Sequence, residues 1–266
     1  MMPVETRRGD SPIVLGLPHT GTFVPDNIRA GLNSRGRGLD DTDWHIHTLY
    51  DGLLAGATTV RATFHRYVID ANRDPSGDSL YPGQNTTGLV PLTDFDGRDI
   101  WDHAPTEADI AERRKTFHAP YHAALQAELS RVRDLHGVAI LYDCHSIRSN
   151  IPFLFDGTLP DFNIGTNLGS TCAPEIETSV QAACAAAKGH TAITNGRFKG
   201  GWTTRHYGRP AEGLHAIQME LAQSTYLRAE TAPWAYDRTK AARLRAHLKI
   251  ILTKLADLAP TLKGTS

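Results

Sequence analysis

Along the chain, short runs of apolar residues alternate with longer stretches in which apolar positions recur every three or four residues. That rhythm predicts an α/β layered fold, with strands from the runs and helices from the longer period. Residues 13–17 read as a first strand, ended by Pro18. Residues 58–64 and 67–69, rich in β-branched and aromatic side chains, read as two more. A helix is expected over 41–54, started by Asp41 or Thr42 and striped by Trp44, Leu49 and Leu53. Over 107–135 the apolar positions keep helical spacing, and Pro120 is expected to bend or divide the helix. Residues 138–142 form a buried-type strand that runs into Asp143-Cys144-His145-Ser146. An Ala-rich helix over 175–188 and a short strand over 191–194 follow. In 217–221, Ile217, Met219 and Leu221 take one face of a strand while Gln218 and Glu220 take the other. The last helix, 237–258, carries a Leu/Ile stripe. Between these elements, 74–102 is rich in Gly, Pro, Asp and Asn without periodicity, and is expected to be a long ordered loop of the kind that often carries function.

Composition adds mostly exclusions. The 266 residues are 40% hydrophobic and 21% charged, ordinary for a globular protein, and no repeat or linker interrupts them, so one domain over 1–266 is expected. A net charge of −1 gives no attraction to nucleic acid or anionic membrane. No apolar stretch approaches the roughly 18 residues of a membrane helix, and no signal-peptide h-region is seen. Three cysteines with no CxxC pair argue for a reducing compartment, hence a cytoplasmic location. The 13 histidines do change the picture, because histidine is both a common metal ligand and an acid or base near neutral pH.

Two of them follow apolar strands, in Pro18-His19-Thr20-Gly21 and Asp143-Cys144-His145-Ser146. Sites in open α/β sheets form at the carboxyl ends of strands, so His19 and His145 can converge on one ion, with Asp143 or another acid orienting a ring. A catalytic zinc takes three protein ligands plus water. Asp43 is the chosen third ligand, with Asp41 and Asp26 as alternatives. Glu220 lies in a strongly apolar strand, where a lone carboxylate is costly, and is the candidate general base and acid. Arg66, Arg73 and Arg205 offer planar forks for carboxylates, and Asn72 adds a neutral donor beside Arg73. Gly196-Arg197-Phe198-Lys199-Gly200-Gly201 lacks the phosphate-loop spacing and no convincing helix follows it; a loop closing over substrate, hinged at Gly200 and Gly201, fits better. His118 and His122 share a helix face without the glutamate of a zinc-protease motif.

Taken together, these motifs resemble one family. Pro18-His19-Thr20-Gly21, Asp41-Thr42-Asp43-Trp44, Asp70-Ala71-Asn72-Arg73, Pro120-Tyr121-His122 and Asp143-Cys144-His145-Ser146-Ile147-Arg148-Ser149 stand in the order expected of N-formylglutamate amidohydrolases. The glycine-rich loop, Thr204-Arg205-His206-Tyr207-Gly208 and Gln218-Met219-Glu220-Leu221 complete the series, over roughly residues 10 to 255. The resemblance implies a three-layer α/β/α fold with a central mixed sheet, similar to zinc carboxypeptidases and aspartoacylases. It implies hydrolysis of N-formyl-L-glutamate to formate and L-glutamate, in histidine degradation, by a metal enzyme. His19, Asp43 and His145 would hold Zn2+ (or Co2+, Fe2+ or Mn2+), and Glu220 would act as base. Asn72, Arg73, Arg66, Arg205 and His206 would bind the substrate. Those relatives have His-x-x-Glu, whereas position 22 here is Thr22. Three other readings stay open: a deacylase of N-formylaspartate or N-formimidoylglutamate, a metal-free amidase with Cys144 as nucleophile, and a non-catalytic carboxylate binder. The reading allows a homo-oligomer.

Overall fold

A computed structural model describes residues 2–79 and 83–262. Residues 80–82 of the expected loop, and the outermost residues of the expected 1–266 domain, lie outside the described residues. In chain order the regular elements are β1 (Val4–Arg7), β2 (Ile13–Leu17), α1 (Asp26–Gly31), α2 (Ile46–Tyr50), β3 (Thr58–Ala62), α3 (Glu107–Arg113) and α4 (Ala119–His136). They continue as β4 (Ala139–Ile147), β5 (Phe162–Gly165), α5 (Pro174–Ala185), β6 (Ala192–Thr194), α6 (Trp202–Tyr207), β7 (Leu214–Ala222) and α7 (Arg238–Leu258).

The seven strands form one mixed sheet in the order β1-β3-β2-β4-β7-β5-β6. Strands β3, β2, β4 and β7 are mutually parallel, while β1 and β5 run antiparallel to β3 and β7. Parallel strands buried on both faces read as apolar runs, which is why β2, β4 and β7 are so hydrophobic. Side chains of α2, α5 and α7 join Ile140, Tyr142, Cys144, Ile217 and Met219 in a core on one face. Side chains of α1 and α4 join Ala139, Leu141, Leu214 and Ala216 in a core on the other. The α/β/α layering expected from the resemblance is therefore present. On α7 the expected stripe of Leu244, Leu248, Ile251, Leu252 and Leu255 is buried, each side chain stabilising by roughly 1.5–3 kcal/mol relative to exposure. Its N-cap Asp237 accepts from the N–H groups of Thr239 and Lys240.

Several boundaries differ from expectation, each for a traceable reason. The helix expected over 41–54 shrinks to α2, because Asp41 and Asp43 are drawn into tertiary hydrogen bonds and His45 takes a left-handed conformation (φ 59°). Residues 67–69 form no strand, because Tyr67 and Val68 turn and donate their main-chain N–H groups back to His65. The helix over 107–135 is neither broken nor capped at Pro120: a π-helical turn, Arg114–His118, joins α3 to α4 without a gap. β4 also runs further than expected, so Asp143 and His145 lie within the strand rather than after it. A helix, α6, does follow the glycine-rich loop. The stretch 74–102 has no regular helix or strand among the described residues.

Candidate metal centre and active-site cleft

The site grows out of strand alternation. On one face of β4 the residues are Ala139, Leu141, Asp143 and His145; on the same face of β7 they are Leu214, Ala216, Gln218 and Glu220. Both strands thus begin apolar under α4 and turn polar toward their carboxyl ends, where His145 pairs in register with Glu220 and Asp143 with Gln218. Next to Asp143 on β2 stands Gly16, where a Cβ would come within 3.2 Å of Asp143 Oδ1. The missing side chain leaves room for that carboxylate. His19 follows β2 at the same end, and Asp43 is fixed beside it by a bond from its N–H to the His19 carbonyl (3.0 Å).

His19 Nδ1 and His145 Nδ1 are 3.2 Å apart, and Asp43 Oδ2 lies 3.3 Å from the second and 3.8 Å from the first. The point in their plane equidistant from all three atoms is about 2.0 Å from each, so an ion in or just above that plane would meet the roughly 2.0–2.2 Å of zinc–nitrogen and zinc–oxygen bonds. The other ring nitrogens are held as a metal centre requires. His19 Nε2 donates to Asp70 Oδ1 (2.7 Å), and His145 Nε2 lies 3.2 Å from Asp143 Oδ2. A carboxylate accepts only, so it keeps the proton on Nε2 and turns the Nδ1 lone pair inward. Asp43 Oδ2 also accepts from the Ser146 N–H (3.2 Å), and its Oδ1 accepts from Arg66 (3.4 Å). The residues present fit a divalent ion, and this is the one such cluster of three His/Cys/Asp/Glu among the described residues.

The electrostatics set the two imidazoles apart. Burial, with Arg66 close by, pushes His19 down to about 4, so its ring is neutral and able to ligate at pH 7. Burial works to raise Asp43, but His145, His19 and Arg66 around it hold it below its usual value. Burial also opposes charge on His145, yet Asp143 and Asp43 raise it well above the normal imidazole range, so an ion binding at Nδ1 would displace a proton from this ring. Asp70, despite burial, is held well down by His19, Arg73 and Arg66. Glu220 goes the other way: burial lifts it to about 8 against the pull of His145.

A cleft opens over this floor, lined by His19, His145, Glu220 and Gln218 below and by Arg66, Arg73 and Arg197 on the walls. Asn72 also lines it; Thr203 N–H donates to Asn72 Oδ1 (2.9 Å), so the amide NH2 is the end turned toward His145. Phe95, Asn85, Thr86 and Thr87 of the long loop and Phe198 of the glycine-rich loop complete the walls. Arg66 is buried, stacked over Phe95 at 4.9 Å. Arg73 donates to the Thr87 carbonyl (2.8 Å) and to Thr87 Oγ1 (3.0 Å), which ties the long loop to the site.

Two expected substrate residues are not brought to the cleft. α6 buries Thr203, Thr204 and Tyr207, which turns Arg205 and His206 outward; Arg205 bonds the Gly200 carbonyl and His206 stacks on Trp202 at 4.3 Å. The alternative ligands fare no better. Asp26 is exposed on α1, and Asp41 accepts from Tyr67 OH (2.7 Å) and the Phe95 N–H (2.9 Å) outside the cluster. Cys144 points to the opposite, apolar face, with its thiol pushed far up by burial, which removes it as a nucleophile for this cleft. His118 and His122 stand behind the site and bond the Arg73 and Ala71 carbonyls (3.0 and 2.8 Å), gripping the backbone on both sides of Asn72. Sequence reasoning missed Asp70 as the partner of His19, Arg197 as a wall residue, and Gln218. Only the i, i+2 spacing of Gln218 and Glu220 offered a signal.

Fold and centre define a hydrolase of α/β architecture whose His–Asp–His cluster can hold a metal ion. Residues 11–227 match the family model of N-formylglutamate amidohydrolase, and the chain belongs to that family. It is 46% identical over 254 residues to the N-formylglutamate deformylase of Pseudomonas aeruginosa, covering 94% of each chain. It is 45% identical over 251 residues to that of Pseudomonas putida, covering 93% of each. Among solved structures, the N-formylglutamate amidohydrolase of Ralstonia eutropha superposes with a TM-score of 0.81 at 26% identity, over 98% of this chain and 99% of that one. A gene product of Agrobacterium tumefaciens shares the fold (TM-score 0.73, 17% identity, 97% and 96% covered). No helix among the described residues is long and apolar enough to cross a membrane.

Proposed function

We propose that the protein hydrolyses the formamide bond of N-formyl-L-glutamate to formate and L-glutamate, using a divalent ion held by His19, Asp43 and His145. Zn2+ is the first candidate, ahead of Co2+, Fe2+ and Mn2+, and the reaction would close a histidine-degradation route in the cytoplasm. The observation that carries the reading is the metal-sized triangle of Nδ1, Nδ1 and Oδ2 atoms, with a buried carboxylate one strand away. The names of the two Pseudomonas relatives support the substrate.

A divalent ion in that triangle supplies Lewis acidity, polarising a carbonyl and bringing the pKa of water toward about 7. Glu220 takes the proton of the attacking water as its oxygen adds to the formyl carbon. The same carboxyl then gives that proton to the amide nitrogen as the C–N bond breaks. A carboxyl lifted by burial to about 8 is suited to holding the proton it has taken and handing it on to the nitrogen. The guanidinium groups of Arg66, Arg73 and Arg197, with the Asn72 amide hydrogens, offer donors for the two substrate carboxylates. Held at both ends, the substrate presents its formyl carbon to the floor of the cleft in one orientation.

The test is formate release from N-formyl-L-glutamate before chelation, after it, and after metal add-back, with N-formylaspartate and N-formimidoylglutamate as comparison substrates. Activity is expected to vanish on chelation and return with metal. Glu220→Gln should lower kcat by at least about a hundredfold, the scale of a lost general base, with metal content unchanged. Near-normal turnover in that variant would sink the assignment.

A further inference from the structure

We propose that Gln218 is a positioning residue for Glu220, itself oriented by the main-chain N–H of Gly201. The inference rests on Glu220 being the base of the reaction proposed above. Residues i and i+2 of a strand share a face, so β7 sets Gln218 next to Glu220 and only 3% exposed. A buried amide is costly unless both its ends are paired. Here both are: Gly201 N–H donates to Gln218 Oε1 at 2.7 Å, and Gln218 Nε2 donates to Glu220 Oε2 at 3.2 Å.

The direction of the amide follows from chemistry. A main-chain N–H can only donate, so the atom facing Gly201 is the carboxamide oxygen and the atom facing Glu220 is the nitrogen. An N–H donor against a carboxylate favours its ionised form, the form a base needs, and opposes the effect of burial. It also pins one carboxylate oxygen, which leaves the other for water in the cleft. Gly201 and Thr203, two residues apart, hold both amides of the site. The N–H of Gly201 fixes Gln218, and that of Thr203 fixes Asn72. Gly201 has no side chain to spare here, because a Cβ would stand 2.2 Å from Asn72 Nδ2. Since Arg197 and Phe198 of the same loop line the cleft, the base and the cleft wall share one support.

The experiment compares Gln218→Met, Glu220→Gln and the double variant for kcat, KM, metal content and thermal midpoint, using N-formyl-L-glutamate. Gln218→Met keeps the length and removes both hydrogen bonds. It should lower kcat at least tenfold, leave KM within twofold and keep the metal content. Placed on Glu220→Gln, it should cost less than a further twofold. Gln218→Glu keeps the acceptor for Gly201 but turns a second carboxylate on Glu220, and should lower kcat at least as much. A kcat within twofold of normal in either single variant overturns the role. So does a full tenfold loss repeated on Glu220→Gln, or a loss expressed as raised KM or missing metal. An inactive Glu220→Gln beside an active Gln218→Met would sink the positioning role alone, whereas an active Glu220→Gln would sink the functional reading as well.

Discussion

His19 and His145 present the same nitrogen to the same point because each has a carboxylate behind it, Asp70 for one and Asp143 for the other. Such partners fix the tautomer and raise the basicity of the ligand, and removing one typically weakens a metal by about 10–100-fold. Asp70→Asn keeps an oxygen near His19 Nε2 and near the Asn72 N–H, which Asp70 Oδ1 accepts at 2.8 Å, but removes the charge. Metal affinity, read by chelator competition, should fall by about 10–100-fold, while kcat at saturating metal falls less. An unchanged affinity would show that the Asp70–His19 contact is structural only. Asp70 was present in a quoted motif but carried no legible role, since nothing local says that a residue 51 positions away will meet His19.

At the scale of elements, the turn Arg114–His118 runs straight into α4, where the i, i+4 spacing sets the rings of His118 and His122 4.3 Å apart, both facing the backbone that carries Asn72. Burial pushes His122 down to about 3, so in the fold it stays neutral and bonds the Ala71 carbonyl. In the unfolded chain a histidine titrates near 6.5 (about). Below that pH the unfolded state takes up a proton that the native state refuses, so this residue's share of stability is present above pH ~6.5 and is lost progressively toward about 3. Urea unfolding between pH 7 and 4 (about) should therefore show a shallower loss of stability in His122→Gln than in the wild type, by up to about one proton. Equal slopes would contradict the buried neutral state. The sequence showed that His118 and His122 share a face, but not which residues that face meets.

For the whole molecule, the centre ties β2, β4 and the segment before α2 to one point, so an ion binding there stabilises the fold by mass action. At a free metal concentration of 100 times Kd the gain is about 2.7 kcal/mol, provided the unfolded chain binds weakly. Thermal unfolding should accordingly shift upward with Zn2+ and downward with chelator, and the shift should disappear in Asp43→Ala. A chelator-insensitive midpoint would argue against an ion that bridges these elements. The α/β layering behind this coupling was readable from periodicity alone. The antiparallel β1 and β5 were not, since β1 is short and polar and the four residues of β5 carry no distinctive pattern.

By itself, the sequence determined that β2, β4 and β7 are apolar strands, that Gln218 and Glu220 share one face of β7, and that His19 and His145 lie toward the carboxyl ends of their strands. These are local matters of period and residue type, fixed within a few neighbours. Only the tertiary structure decided that the face of Glu220 is covered rather than solvent-exposed, because that depends on β7 lying inside the sheet between β4 and β5. It also decided that Asp43, rather than Asp41 or Asp26, completes the triangle. It alone turned Arg205 and His206 away from the cleft while bringing Arg197 into its wall. A six-residue helix has no periodicity long enough to fix its own rotation, and three groups far apart in the chain meet only where packing puts them.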